Sequence, residues 1–137
     1  MFSLAEEYKA FSLIRPKTIT ATETGTGIDL GPDYQDDLMA IFNLGAASDT
    51  DATCTVTIEG SDAVGGTYTV LATFSTASAT DDNKLGACQV ISHGASKRFI
   101  RAKATVTGTG SPSFALSVIL LAKAAVGSSS LNSTTIA

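Results

Sequence analysis

Apolar and polar residues alternate with period two along much of the chain, the mark of half-buried strands rather than helices. From Thr53 to Glu59, Cys54, Val56 and Ile58 point one way, and Thr53, Thr55, Thr57 and Glu59 the other. Tyr68, Val70, Ala72 and Phe74 form a second such row, and Ile100, Ala102, Ala104 and Val106 a third within 97–106. Shorter strand signals cover 17–22, 27–30 and 87–92. Residues 38–44 and 114–123 are apolar on both faces. Such strands lie centrally in a sheet with cover on the outer side, or at a subunit interface. With glycines and prolines between the runs, the pattern predicts an all-β, antiparallel β-sandwich of about eight strands.

The two ends read differently. Leu4, Tyr8 and Phe11 recur at spacings of four and three, with Glu6, Glu7 and Lys9 between them. That spacing predicts a short amphipathic helix or an arm over 1–16, stopped by Pro16. A helix so short needs a surface to dock on. The sandwich is expected over 17–124, followed by a flexible, uncharged Ser/Thr-rich tail over 125–137. In the tail, Asn132-Ser133-Thr134 matches a glycosylation acceptor by chance.

Composition agrees with the pattern. Of 137 residues, 66 are Ala, Thr, Ser or Gly, a mixture suited to short strands and tight turns and not to a helix bundle. Leu, Ile, Val and Phe number 33, enough for a buried core. The apolar run 114–126 is 13 residues long and contains Lys123, whereas a bilayer needs about 20. No membrane partner and no export signal are expected, since Glu6 and Glu7 interrupt the start of the chain. Cys54 and Cys88, 34 positions apart, are expected to be unpaired thiols.

Charge changes the picture more. The first 82 residues hold 13 acidic and 3 basic side chains, and the remainder holds 6 basic and no acidic ones. Either early and late strands interleave and neutralise one another, or an acidic and a basic face meet between subunits.

Candidate chemistry is sparse. His93, the one histidine, sits in a Gly-containing turn without a nucleophile motif, so no enzymatic activity is expected. Asp49-Thr50-Asp51 opens like a calcium loop, but Cys54 stands where glycine is required, so these read as solvated loop carboxylates. No phosphate-binding loop and no cofactor are implied. Lys97, Phe99, Arg101 and Lys103 share one strand face. Interleaved basic and aromatic residues can hold single-stranded nucleic acid, protect a sheet edge or contact an acidic protein. The acidic chain argues against nucleic acid. The two-faced strand at 114–123 favours an oligomer.

One hairpin carries a resemblance. Thr55-Val56-Thr57-Ile58-Glu59-Gly60-Ser61-Asp62 and Gly65-Gly66-Thr67-Tyr68-Thr69-Val70-Leu71, with Ile28-Asp29-Leu30-Gly31, Phe99-Ile100-Arg101-Ala102 and Ser117-Val118-Ile119-Leu120-Leu121, resemble the head cement, or decoration, proteins of tailed bacteriophages. The resemblance spans residues 17–124. It implies a jelly-roll fold and a non-enzymatic virion protein, made in the host cytoplasm and bound to the capsid exterior. Its implied partners are the major capsid protein and further copies of itself, as a dimer or trimer. The expected partner contacts are Phe2, Leu4, Tyr8 and Phe11 on the arm, and the stripe Lys97, Phe99, Arg101 and Lys103. The same hairpin is similar to one in discoidin-like carbohydrate-binding modules, with Tyr68 where those place tryptophan. Sugar binding relies on exposed aromatic faces, and most of the nine Tyr and Phe residues are expected at inward or arm positions.

Overall fold

The computed structural model describes residues 8–31, 37–90 and 97–123. Within them the strands are β1 (Tyr8–Ile19), β2 (Glu23–Thr24), β3 (Ile28–Asp29), β4 (Asp37–Ser48) and β5 (Thr53–Ser61). They continue with β6 (Thr69–Thr73), β7 (Ala77–Ser78), β8 (Leu85–Val90), β9 (Phe99–Thr107) and β10 (Ser113–Lys123). Sheet A has the order β1-β10-β4-β8, and sheet B the order β2-β9-β5-β6, with β3 also on β9 and β7 also on β5. Every pairing is antiparallel.

β2 and β3 occupy successive stretches of one edge of β9, and β6 and β7 of one edge of β5. Taking each pair as one interrupted strand leaves eight positions. Their order, first-last-third-sixth over second-seventh-fourth-fifth, is that of a jelly roll. The expected sandwich is present.

Alternation places the core where the pattern put it. Cys54, Val56 and Ile58 of β5 and Ile100, Ala102 and Ala104 of β9 are fully buried. Phe114, Leu116, Val118, Leu120 and Ala122 of β10 face them across the sandwich and join the same cluster. The β6 row departs from expectation. Val70 is 57% exposed, because a register shift between Ile58 and Glu59 of β5 sets an extra β6 residue against its partner.

The helix or arm over 1–16 is the main correction. Residues 8–16 belong to β1, so a boundary at residue 16 falls inside an edge strand of sheet A. β1 pairs with β10 but shifts register between Ser12 and Ile14 and again between Ile14 and Lys17. These bulges bring Phe11, Leu13 and Ile14 all inward, so the period of two is lost. Pro16 does not stop the chain. It lies exposed at the second bulge, on an edge strand where a missing N–H costs no ladder bond. Residues 1–7 and 124–137, with the tail expected from 125, lie outside the described residues.

Candidate interaction surfaces

Pairing β5 with β9 explains the uneven charge along the chain. Arg101 Nε donates to Glu59 Oε2 at 2.8 Å, and these residues are cross-strand partners. Lys97 Nζ reaches Asp62 Oδ2 at 3.0 Å. Arg98 grips Asp29 in bidentate fashion, at 2.7 and 2.8 Å. Lys84 pairs with Asp81 at 2.5 Å. Each joins an acid from the first part of the chain to a base from the second, so four of the six late bases meet early acids within one chain.

The stripe therefore sits together on sheet B, but two of its charges are already engaged. Phe99, Arg101 and Lys103 lie on the outer face of β9, opposite the buried row, and Lys97 just precedes the strand. The Arg101 guanidinium lies 3.8 Å from the centroid of the Tyr68 ring. The Tyr68 hydroxyl donates to the Val64 carbonyl at 3.0 Å. Phe99 is half-buried, with the Arg98 guanidinium 5.6 Å from its ring centre. Among the described residues Lys103 has no ion-pair partner. Threonines complete this face: Thr53 and Thr107 are hydroxyl-bonded at 2.5 Å, and Thr55 contacts Thr76 at 2.8 Å.

Two carboxylates are strongly perturbed. The Asp29 pKa falls from 3.8 to about 2, first through its bonds from Arg98 and then through the Gly31 N–H. The Asp81 pKa also falls to about 2, first through Lys84 and then through Ser78. Groups with depressed pKa values stabilise the fold above the unfolded value near 3.8, and that contribution is lost as pH falls through about 2. The urea midpoint is therefore expected to drop between about pH 4 and pH 2. Asp29→Asn and Asp81→Asn should each flatten this dependence, and identical pH profiles for the variants and the parent would refute the assignment.

Sheet A presents a different outer face. Its cross-strand rows are Ala10–Leu121–Met39–Gln89, then Ser12–Ile119–Ile41–Ala87, then Ser117–Asn43–Leu85. None of these side chains is charged. Met39 is 40% exposed and Leu85 67%, while Ile41, Ile119 and Leu121 are half-buried. Tyr8, half-buried, stands at one end of this face opposite Lys123. Phe11 does not join it. Phe11 is paired with Leu120 on the inner face and is 4% exposed, so it is a core residue and not a partner contact. Phe2 and Leu4 lie outside the described residues. Met39, Ile41 and Ala87 were not singled out from sequence. The usable signal was that both two-faced apolar strands, 38–44 and 114–123, needed a neighbour.

The remaining candidates resolve simply. Cys54 and Cys88 are free thiols, and burial pushes the Cys54 thiol up to about 11. Asp51 accepts the Thr109 N–H at 3.1 Å and also the Thr109 hydroxyl, which lowers its pKa. That bond ties the β4–β5 loop to the β9–β10 loop. Among the described residues, no group of three or more His, Cys, Asp or Glu is placed to hold a metal. A cavity of about 340 Å³ opens beside β8, walled by Phe42, Phe74, Leu85 and Cys88. His93 lies outside the described residues.

No protein-family model matches the chain, and no curated protein matches it. Among solved structures, the xylan-binding module CBM15 aligns at a TM-score of 0.46 with 10% identity, over 89% of this chain and 94% of that one. The PBSX exported protein XepA aligns at a TM-score of 0.59 with 19% identity. That alignment covers all of this chain but only 44% of XepA. At this identity the chain shares with XepA a β-sandwich fold.

Proposed function

We propose that this chain is a structural protein of a bacteriophage virion, a homo-oligomer that binds the outer surface of the capsid and bridges major capsid subunits. The outer face of sheet A, whose three central rows carry no formal charge, supports the reading. Met39 and Leu85 are exposed on it, and burying such a surface favours protein association. A jelly roll of this size is a rigid platform for such contacts. That XepA is a phage PBSX exported protein with the same fold supports a phage setting. No cofactor or catalytic group enters this role. Tyr68, the aromatic on which a sugar-binding alternative rests, already has Arg101 stacked on its ring.

Shells assembled from the major capsid protein of the same phage provide the test. The chain is expected to sediment with them saturably, at a fixed ratio to capsid subunits. A chain that stays in the supernatant at every concentration overturns the proposal. A melting temperature raised by glycans would then favour the sugar-binding module.

A further inference from the structure

We infer that the outer face of sheet A is where two copies of this chain meet, sheet against sheet about a twofold axis. The inference names the self-contact of the homo-oligomer proposed above, and it does not require that the oligomer bind a capsid.

Charge singles out this face. In a twofold contact the same patch is used by both copies, so groups near the axis meet their own kind. A formal charge there would face a like charge with little water to screen the repulsion. The three central rows of sheet A, from Ala10 to Gln89, Ser12 to Ala87 and Ser117 to Leu85, carry no formal charge. Sheet B fails the same requirement, because Glu59, Arg101 and Lys103 cross the middle of its outer face. The chain as a whole is acidic, with a formal charge of −4, so copies repel through their other surfaces. A contact with a different protein imposes no such condition, since opposite charges could then be matched across it.

Area fits a second copy as well. Four strands about 4.8 Å apart, with a rise of about 3.3 Å per residue over some seven residues, offer roughly 450 Å² per copy. Two copies would bury about 900 Å², in the range of weak and transient contacts, so a reversible dimer that forms with rising concentration is expected. Facing sheets pack about 10 Å apart with side chains interdigitated. Leu121, Ile119, Met39 and Ile41 stand up on β10 and β4, with small Ala10, Ser12 and Ala87 on the strands beside them.

Sedimentation velocity on the full chain tests this. Across the micromolar range the mass should rise from 14.0 kDa towards twice that value. Met39→Lys and Met39→Glu, at a position 40% exposed in the single copy, should melt like the parent at concentrations where the parent is monomeric. Each should weaken association by about tenfold or more. Mixing the two variants should recover dimer, because opposite charges then face one another. Thr55→Lys, on the outer face of sheet B, should associate like the parent. A parent that stays monomeric overturns the inference, as does one that forms trimers without dimers. So does Met39→Lys dimerising normally, or Thr55→Lys abolishing the dimer. Retention on shells is read separately. A dimer that ignores shells leaves this inference standing and overturns only the capsid reading.

Discussion

Truncation of Phe114 to alanine is expected to destabilise the fold by about 3–5 kcal/mol. The ring is fully buried on the inner face of β10, the strand flanked by β1 and β4 in sheet A. Its cross-strand neighbours are Ile19 of β1 and Ala47 of β4. Alanine there would remove an aromatic volume from beneath three strands, and a sandwich pinned by backbone ladders closes such a gap poorly. Domains of this size are stable by only about 5–15 kcal/mol, so the variant should lose a large share of its margin. Urea unfolding of parent and variant measures the difference. A loss below about 1 kcal/mol would mean that the two sheets repack around the cavity, and that Phe114 is not a structural centre.

Removal of Arg101 is the second large effect. Glu59 is 8% exposed, and its carboxylate accepts the Arg101 guanidinium at 2.8 Å. The guanidinium in turn covers the Tyr68 ring. Arg101→Ala would leave that carboxylate shielded from water with its charge partner gone. Because the Arg101 side chain is itself 28% exposed, we expect about 2–3 kcal/mol rather than the full cost of an orphaned interior charge. Lys17→Ala is the control. Its pair with Glu23 has side chains 45% and 36% exposed, and its removal should cost at most about 1 kcal/mol. The double variant Glu59→Gln/Arg101→Ala should regain part of the loss. Equal costs for Arg101→Ala and Lys17→Ala would show that Glu59 remains hydrated after all.

These positions differ in how legible they were from sequence. The inward rows of β5 and β9 follow from period two alone, because those strands run through the middle of sheet B. β1 was misread because Leu4, Tyr8 and Phe11 are spaced as on one face of a helix, whereas in the strand Tyr8 and Phe11, three residues apart, fall on opposite faces. Pro16 reinforced the error, since its tolerance depends on β1 being an edge, a property of topology that local sequence does not contain. The charge imbalance allowed two outcomes, and the pairing of β9 with β5 and β3 shows how early acids and late bases come together within one chain. The face on sheet A was half-legible. Two strands apolar on both sides announced that something must lie outside them. That they are neighbours, with Ile119 opposite Ile41 and Leu121 opposite Met39, is set by pairings some eighty residues apart in the chain.

The juxtaposition of Tyr8 and Lys123 has a mechanical consequence. They are partners on adjacent antiparallel strands, so the described fold begins and finishes at one corner of sheet A. Tension applied between those two points pulls across the strands, along the direction of the ladder hydrogen bonds. The β1–β10 bonds are then loaded one at a time, from the corner inward, like a zipper. A grip that spreads its load over the sheet faces strains many bonds together and meets far more resistance. The sandwich is weak when drawn by its ends and strong when clamped by its sides.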